Sequence, residues 1–452
     1  MLKNKSPLRG GDFKIRSVMA DYKEIYKQRL SSVEEILGKI RSGDIIVCGG
    51  SSLEPQALLW RLHELRGRVE NITVMVALGV TPYPFMVNGE YADTFRVPVN
   101  FMQSAARTAH KLGIAEFVPS DLDDGYLHWT REHRPDWCFI QASPPDDEGN
   151  ISISLSLLKE MECVETAKRL VVEINPNVPF VYGDGIIPLE RADFIIEADN
   201  PLPVVPSAPA GEVEKQIAQN IATLIHDGDT LQLGIGSIPD SVAELLSERH
   251  DLGIHTEMLT NSMRSLIEAG VVTNARKTLD TGLTVASFAM GLPELYAMTE
   301  RNPGLSMRRG HYCNDPRVIA RQENFVSVNN ALCVDLGGQV CSESIGPRMY
   351  SGTGGQFNTA YGAFHAPNGR GIIALRSTAN TKNGKISTIN SLLPMGSVVS
   401  LSRNYVDYIV TEYGIAHLRG CSVRERSERL IAVAHPDFRA ELAADARKFS
   451  LW

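Results

Sequence analysis

The sequence predicts an α/β fold made of two tandem, related domains with largely parallel sheets. Three observations carry that prediction. Short β-rich apolar runs alternate with helical patterns along the whole chain, the arrangement expected of parallel sheets covered on both faces. Residues 43–49 and 228–234 repeat one another. A proline-rich break separates the two repeats.

In order, the N-terminal residues 1–20 are basic without an apolar core, and read as a mobile extension or an over-called start, with Met19 an alternative start. The N-terminal domain is expected over 21–200. A helical pattern from Tyr22 to Ile40 is turned by Gly43-Asp44 into the strand Ile45–Cys48, which ends in Gly49-Gly50-Ser51. Further strands are expected at 72–76, 137–141, 170–174 and 194–196, with helices near 54–65 and 105–112. Four prolines in the nine residues 201–209 exclude a helix or central strand, because proline lacks the N–H and restricts its predecessor. A linker over 201–210 follows from this.

The C-terminal domain, 211–452, opens with a helix to about His226. Gly228-Asp229 then leads into Thr230–Leu233 and Gly234-Ile235-Gly236, offset by 185 from the first half (228 minus 43; 234 minus 49). Two ordinary strand starts after G-D turns would give a similar local match; two related halves is the stronger reading. Strands follow at 284–288, 325–328, 371–374 and 408–411.

Composition narrows the function. Apolar residues make up 43% and charged residues 22%, an ordinary globular balance, and 452 residues exceed what one core usually holds. A net charge of -8 argues against nucleic-acid or anionic-membrane partners. No apolar run reaches the length of about 18 residues that a spanning helix needs. Seven scattered cysteines without a C-x-x-C pair fit a reducing compartment and speak against structural zinc. A cytoplasmic protein is expected.

Four stretches could carry chemistry. Gly234-Ile235-Gly236-Ser237-Ile238-Pro239 is a glycine turn between a strand and a helix, where unpaired N–H groups suit phosphate or an oxyanion. It is G-x-G-x-x-P rather than the dinucleotide pattern, and a purely structural turn stays open. Ser351 to Phe357 places three glycines in four positions, which permits close backbone approach to a ligand; Arg370, Arg376, Lys382 and Lys385 follow as cations for phosphate or as solvated charges. Glu257 stands in a short strand after the first glycine turn. In a dry pocket beside backbone donors such a carboxylate can attack a thioester; a surface residue is the alternative. The last stretch, Thr411-Glu412-Tyr413-Gly414 with Ala434 to Arg439, reads first as a buried network or subunit contact, with Glu412 satisfied by an arginine.

As an ordered set these segments, together with Gly253-Ile254-His255-Thr256-Glu257-Met258 and, in the first half, Val97 to Phe101, Ser143 to Asp146 and Glu173 to Pro176, resemble the acetyl-CoA hydrolase/transferase family. The resemblance is to its 4-hydroxybutyrate and butyryl-CoA:acetate CoA-transferase group, and runs from about Tyr22 to the C-terminus. It implies a CoA-transferase in which Glu257 is the nucleophile and passes through a glutamyl-CoA thioester. It implies CoA contacts at Gly234, Ile235, Gly236, Ser237, Ile238, Ala331, Gly354 and Gly355. Acyl-CoA and a small carboxylate would be the substrates, with no permanent cofactor or metal, and the chain would act as a homodimer or higher homo-oligomer. An acyl-CoA hydrolase and a non-catalytic CoA- or sugar-phosphate-binding protein are the alternatives. One departure is Thr260-Asn261-Ser262-Met263-Arg264, where the family commonly has Asp-Gly after the Glu-Met pair. Arg264 follows Glu257 by seven residues, and on a shared helical face it would anchor the distal carboxylate of a dicarboxylic substrate, as the succinyl-CoA:itaconate branch requires; a surface arginine is the alternative.

Overall fold

The computed structural model describes residues 22–123, 125–206 and 209–451; the extension expected at 1–20 lies outside them. Seven parallel strands form the first sheet: β1 (Ile45–Cys48), β2 (Ile72–Val76), β3 (Phe95–Val99), β4 (Ala115–Phe117), β5 (Trp137–Ala142), β6 (Leu170–Ile174) and β7 (Phe194–Glu197). Their order across the sheet is 4-3-2-1-5-6-7. The second sheet contains β8 (Thr230–Leu233), β9 (Gly253–Leu259), β10 (Thr284–Ala289), β11 (Leu305–Met307), β12 (Phe325–Asn330), β13 (Arg370–Ala374), β14 (Tyr408–Thr411) and β15 (Gly414–His417). The order is 11-10-9-8-12-13-14-15, parallel except for the final hairpin.

The two orders are the same pattern, with β8 in the place of β1 and β12 in the place of β5. The repeat in the sequence has a physical basis at the strand entries. Gly43 and Gly228 both take a left-handed φ, +82° and +80°, which glycine adopts without a side-chain penalty. Asp44 accepts from the Arg41 N–H at 3.0 Å and Asp229 from the His226 N–H at 2.6 Å, closing the same turn. β1 and β8 then begin 185 residues apart, at Ile45 and Thr230.

Both sheets contribute to one apolar core, which runs from Val47 and Ile140 through Ile153 and Leu157 to Leu231, Val328 and Val410. Backbone bonds stitch the halves together. Residues 155–158 bond to the end of β10, with Leu157 N–H donating to Ser287 O at 2.8 Å and Ala289 N–H to Leu155 O at 3.0 Å. The proline-rich crossing is tied down as well: Tyr296 donates to Pro203 O at 2.6 Å, and Gln56 Nε2 to Pro201 O at 3.0 Å.

Two expectations change. The helix expected over Tyr22 to Ile40 is two helices, Tyr22–Arg29 and Val33–Lys39, because Ser32 and Glu35 form a capping box that starts a new helix. The stretch 54–65 holds only the turn Gln56–Leu59 and a 3₁₀ segment, Leu62–Leu65. Among the described residues no helix is long and apolar enough to cross a membrane.

Candidate active site

In an open parallel sheet, ligands bind beyond the carboxyl ends of the strands where the strand order reverses. In the second sheet that point lies between β8 and β12, and a cavity of about 370 Å3 occupies it. The loop after β8 (Gly234, Ile235), the end of β12 (Asn329, Asn330), Glu257 of β9, and the glycine loop Ser351 to Gln356 form its walls. The first half closes it with Leu78, Asn100, Phe101, Gln103, Leu122 and Leu158.

Glu257 is half-buried, and burial pushes its pKa up to about 7 while the Gly355 N–H pulls the other way. The contact with that loop is close. A methyl group on Gly355 would sit 2.2 Å from Glu257 Oε2 and 2.6 Å from Asn314 Oδ1. Only glycine brings its N–H this near the carboxylate. Gly352 is constrained in the same way, since a side chain there would meet Asn100 O at 2.2 Å, and Gly354 has φ +53° against the Phe101 ring.

A buried hydrogen-bonded network supports both loops from below. Ser327 Oγ donates to Gln232 Oε1 at 2.8 Å, Asn329 Nδ2 donates to Ser327 Oγ at 2.9 Å and to Thr359 Oγ1 at 3.0 Å, and Thr359 Oγ1 donates to Gly355 O at 3.0 Å. Asn330 spans the cavity floor, donating to Ile235 O at 3.2 Å and accepting from Gln356 Nε2 at 2.7 Å. His255, two residues before Glu257, is fully buried with its Nε2 at 3.0 Å from Cys313 O. Burial, with help from Lys277, lowers its pKa to about 4, which disfavours the charged imidazolium.

Of the residues the sequence singled out, Glu257, Gly234, Ile235, Gly354 and Gly355 come together in the cavity wall. Gly236, Ser237, Ile238 and Ala331 lie outside it; the Ile238 side chain is buried in the core and Ala331 packs against the cluster that holds Val334, Val340 and Ile373. The Gly234 N–H is already committed to Val328 O at 2.9 Å. The open donors of this loop are therefore the N–H groups after it, at the start of the helix Ser237–Glu244, whose Gly236 has φ +112°.

Arg264 does not reach the cavity. It begins a turn on the helix Asn261–Glu268 and its Nη1 holds both Glu268 oxygens at 2.8 Å, which removes it as a substrate anchor. Glu412 is satisfied by Ser377, through its N–H at 2.9 Å and its hydroxyl at 2.5 Å, not by an arginine. Arg370 is bound to Asp229 at 2.6 Å at the opposite end of the sheet; Arg376 pairs with Glu214, and Lys385 with Asp437 at 3.1 Å. Among the described residues no cluster of three His, Cys, Asp or Glu is arranged to hold a metal.

Sequence reasoning missed the apolar side of the cavity. Leu158, Met258, Phe288 and Met290 form a small buried cluster beside Glu257, with Leu78 and Leu122 packed against it. Leu78, Leu122 and Leu158 stand far from Glu257 in the sequence, and no motif announces them.

Comparison with known proteins agrees with this geometry. Family models for the acetyl-CoA hydrolase/transferase N-terminal and C-terminal domains match residues 15–206 and 291–446. The 4-hydroxybutyrate coenzyme A transferase of Clostridium kluyveri is 39% identical over 434 residues, covering 95% of this chain and 99% of that one. The succinyl-CoA:cyclohexane-1-carboxylate CoA transferase of Geobacter metallireducens is 39% identical over 445 residues, covering 96% and 99%. Among solved structures, RipA from Yersinia pestis superposes with a TM-score of 0.90 at 34% identity, covering 96% of this chain and all of that one. A 4-hydroxybutyrate CoA-transferase from Porphyromonas gingivalis gives 0.80 at 33% identity, covering 95% and 100%. With both domain models matched and relatives of this identity aligned over nearly its full length, the chain belongs to the acetyl-CoA hydrolase/transferase family.

Proposed function

We propose that the protein moves CoA from a short acyl-CoA to a small carboxylate, with Glu257 as nucleophile. The observation that carries this reading is the Glu257 carboxylate, held against the Gly355 N–H in a cavity at the switch point of the second sheet. The Glu257 carboxylate attacks the thioester carbonyl, forming an acyl-glutamyl anhydride and releasing CoA thiolate. The thiolate attacks the glutamyl carbonyl, giving a glutamyl-CoA thioester and freeing the donor acid. An acceptor carboxylate attacks that thioester and displaces CoA thiolate, which then takes the new acyl group and leaves Glu257 free. Each step places negative charge on a carbonyl oxygen. The Gly355 N–H and the N–H groups between Ile235 and Ile238 are fixed donors for it, and one such donor is worth about 3–4 kcal/mol in comparable sites.

The walls also suggest the acyl class. Leu78, Leu122, Leu158, Met258, Phe288 and Met290 enclose one side of the cavity, and no Lys, Arg or His lines it among the described residues. A second carboxylate on the substrate would be desolvated there without a partner, which costs at least several kcal/mol. Monocarboxylates with apolar tails are therefore the preferred acceptors. Initial rates with butyrate or cyclohexanecarboxylate are expected to exceed those with succinate by at least about tenfold in kcat/KM; equal values overturn the assignment of the acyl class. Thioester loss at the same rate with and without any carboxylate would overturn the transferase reading itself.

A further inference from the structure

Two short strands leave the cavity floor directly after β12. Cys333–Asp335 pairs antiparallel with Val340–Cys341, and Cys333 stands directly opposite Cys341. The turn between them is stiff: Asp335 accepts from Gln339 N–H at 2.9 Å and from its Nε2 at 2.7 Å, and Gly338 has φ +91°. Directly opposed residues of antiparallel strands have Cα atoms about 4.5–5.5 Å apart and side chains on the same face. That lies inside the span of about 4.4–6.8 Å that a disulfide bridges. Both cysteines are reduced, Cys341 fully buried and Cys333 partly exposed.

The pair sits at the mouth of the hairpin. Leu332 N–H donates to Cys341 O at 3.0 Å and Ser342 Oγ to Asn330 O at 3.4 Å, and both Asn330 and Ser342 belong to the cavity wall. We propose that Cys333 and Cys341 are a reactive dithiol that takes a small-molecule disulfide and ends as an intramolecular disulfide stapling this hairpin at the rim of the cavity. The proposal does not depend on the transferase reading.

The two thiols are hydrogen-bonded to each other. Their mutual hydrogen bond lowers the Cys341 thiol below its ordinary value and raises that of Cys333, so the pair gives up its first proton more readily than a lone thiol. Cys333 passes its proton to the Cys341 thiolate, and the accessible Cys333 thiolate so formed attacks the small disulfide, forming a mixed disulfide and expelling one thiolate. That thiolate takes the remaining proton from Cys341. The Cys341 thiolate then attacks the Cys333 sulfur, closing the internal bond and expelling the second thiolate, which is protonated by solvent. The dithiol is oxidised by two electrons, and the small disulfide is reduced to two thiols.

The test uses the full chain incubated with glutathione disulfide, quenched in acid and mapped by mass spectrometry. The expected result is loss of two of the seven thiols, with the Cys333 and Cys341 peptides linked to each other and released by dithiothreitol. Cys341→Ser should stall as a glutathione adduct on Cys333, and Cys333→Ser should protect Cys341. Turnover of both reduced variants at the wild-type rate verifies that they fold. Thiol loss confined to the partly exposed Cys421, with Cys333 and Cys341 still free, overturns the proposal, as does the same glutathione adduct on Cys333 in wild type and Cys341→Ser.

Discussion

The glycine loops after β1 and after β8 occupy equivalent places in two sheets of the same topology, yet one is filled and the other is open. After β1, residues 49–53 are all buried. The Gly50 N–H is taken by Glu160 Oε1 at 3.0 Å, Ser52 Oγ donates to Ala289 O of the other half at 2.8 Å, and a methyl on Gly50 would fall 1.5 Å from Ala77 O. After β8, Ile235 is 56% exposed, and among the described residues the N–H groups from Ile235 to Ile238 have no backbone acceptor. The neighbouring strands differ in the same sense. One step past the β1–β2 register, Ala77 stands level with Gly49; continued past its last pair, the β8–β9 register sets Glu257 level with Gly234. One loop consumes its donors to hold the two halves together; the other keeps them free and gains a carboxylate. Duplication thus supplies two candidate crevices, and packing decides which of them is left for a ligand.

This contrast can be broken from either side. The largest effect is expected at the filled loop. Gly50→Ala would drive a methyl into the backbone of β2's end, where nothing can yield cheaply, and should cost more than about 4 kcal/mol, read as loss of soluble, cooperatively unfolding protein. Gly355→Ala acts on the open side. Its methyl meets the Glu257 carboxylate and the buried Asn314 amide instead of backbone, so kcat should fall by about 10²–10³, roughly 3–4 kcal/mol, while the thermal midpoint falls less than in Gly50→Ala.

The smallest of the three effects concerns protons. A carboxyl whose folded pKa is raised from 4.5 to about 7 binds its proton more tightly in the folded state. Its contribution to stability is complete below the unfolded value and is lost as pH rises from about 4.5 to about 7. The full shift would correspond to about 3 kcal/mol; solvent in the cavity reduces it to the order of 1–2 kcal/mol. Glu54, Glu160 and Glu173 are also raised by burial, so the comparison must be differential. Wild type and Glu257→Gln should be equally stable near pH 4.5, with the variant more stable at pH 8. In wild type kcat/KM should rise through an apparent pKa near 7.

Much of this architecture was legible in the sequence. The strands starting at Ile45, Ile72, Leu170, Thr284 and Tyr408 announce themselves through apolar runs set off by turn residues, and the offset of 185 marks both strand entries. The glycine spacing and Glu257 point to the cavity because a turn needing φ > 0 or a close approach restricts residue type locally. What sequence could not supply is the meeting of distant parts. The contact of Gly355 with Glu257, the Gln232–Ser327–Asn329–Thr359 network, and the closure by Leu122 and Leu158 all depend on how sheets and halves stack. Arg264 failed for a related reason. Spacing put it on a face with Glu257, but Glu257 belongs to a strand and Arg264 to the helix after it, where Glu268 one turn on provides a nearer partner.

On the proposed function, the open crevice works through covalent chemistry at Glu257. Incubation with an acyl-CoA, followed by peptide mapping, tests it most directly. A CoA-sized, hydroxylamine-sensitive adduct is expected on the peptide bearing Glu257, discharged by added carboxylate and absent from Glu257→Gln. Full turnover by Glu257→Gln, or an adduct carried by another residue, would contradict it.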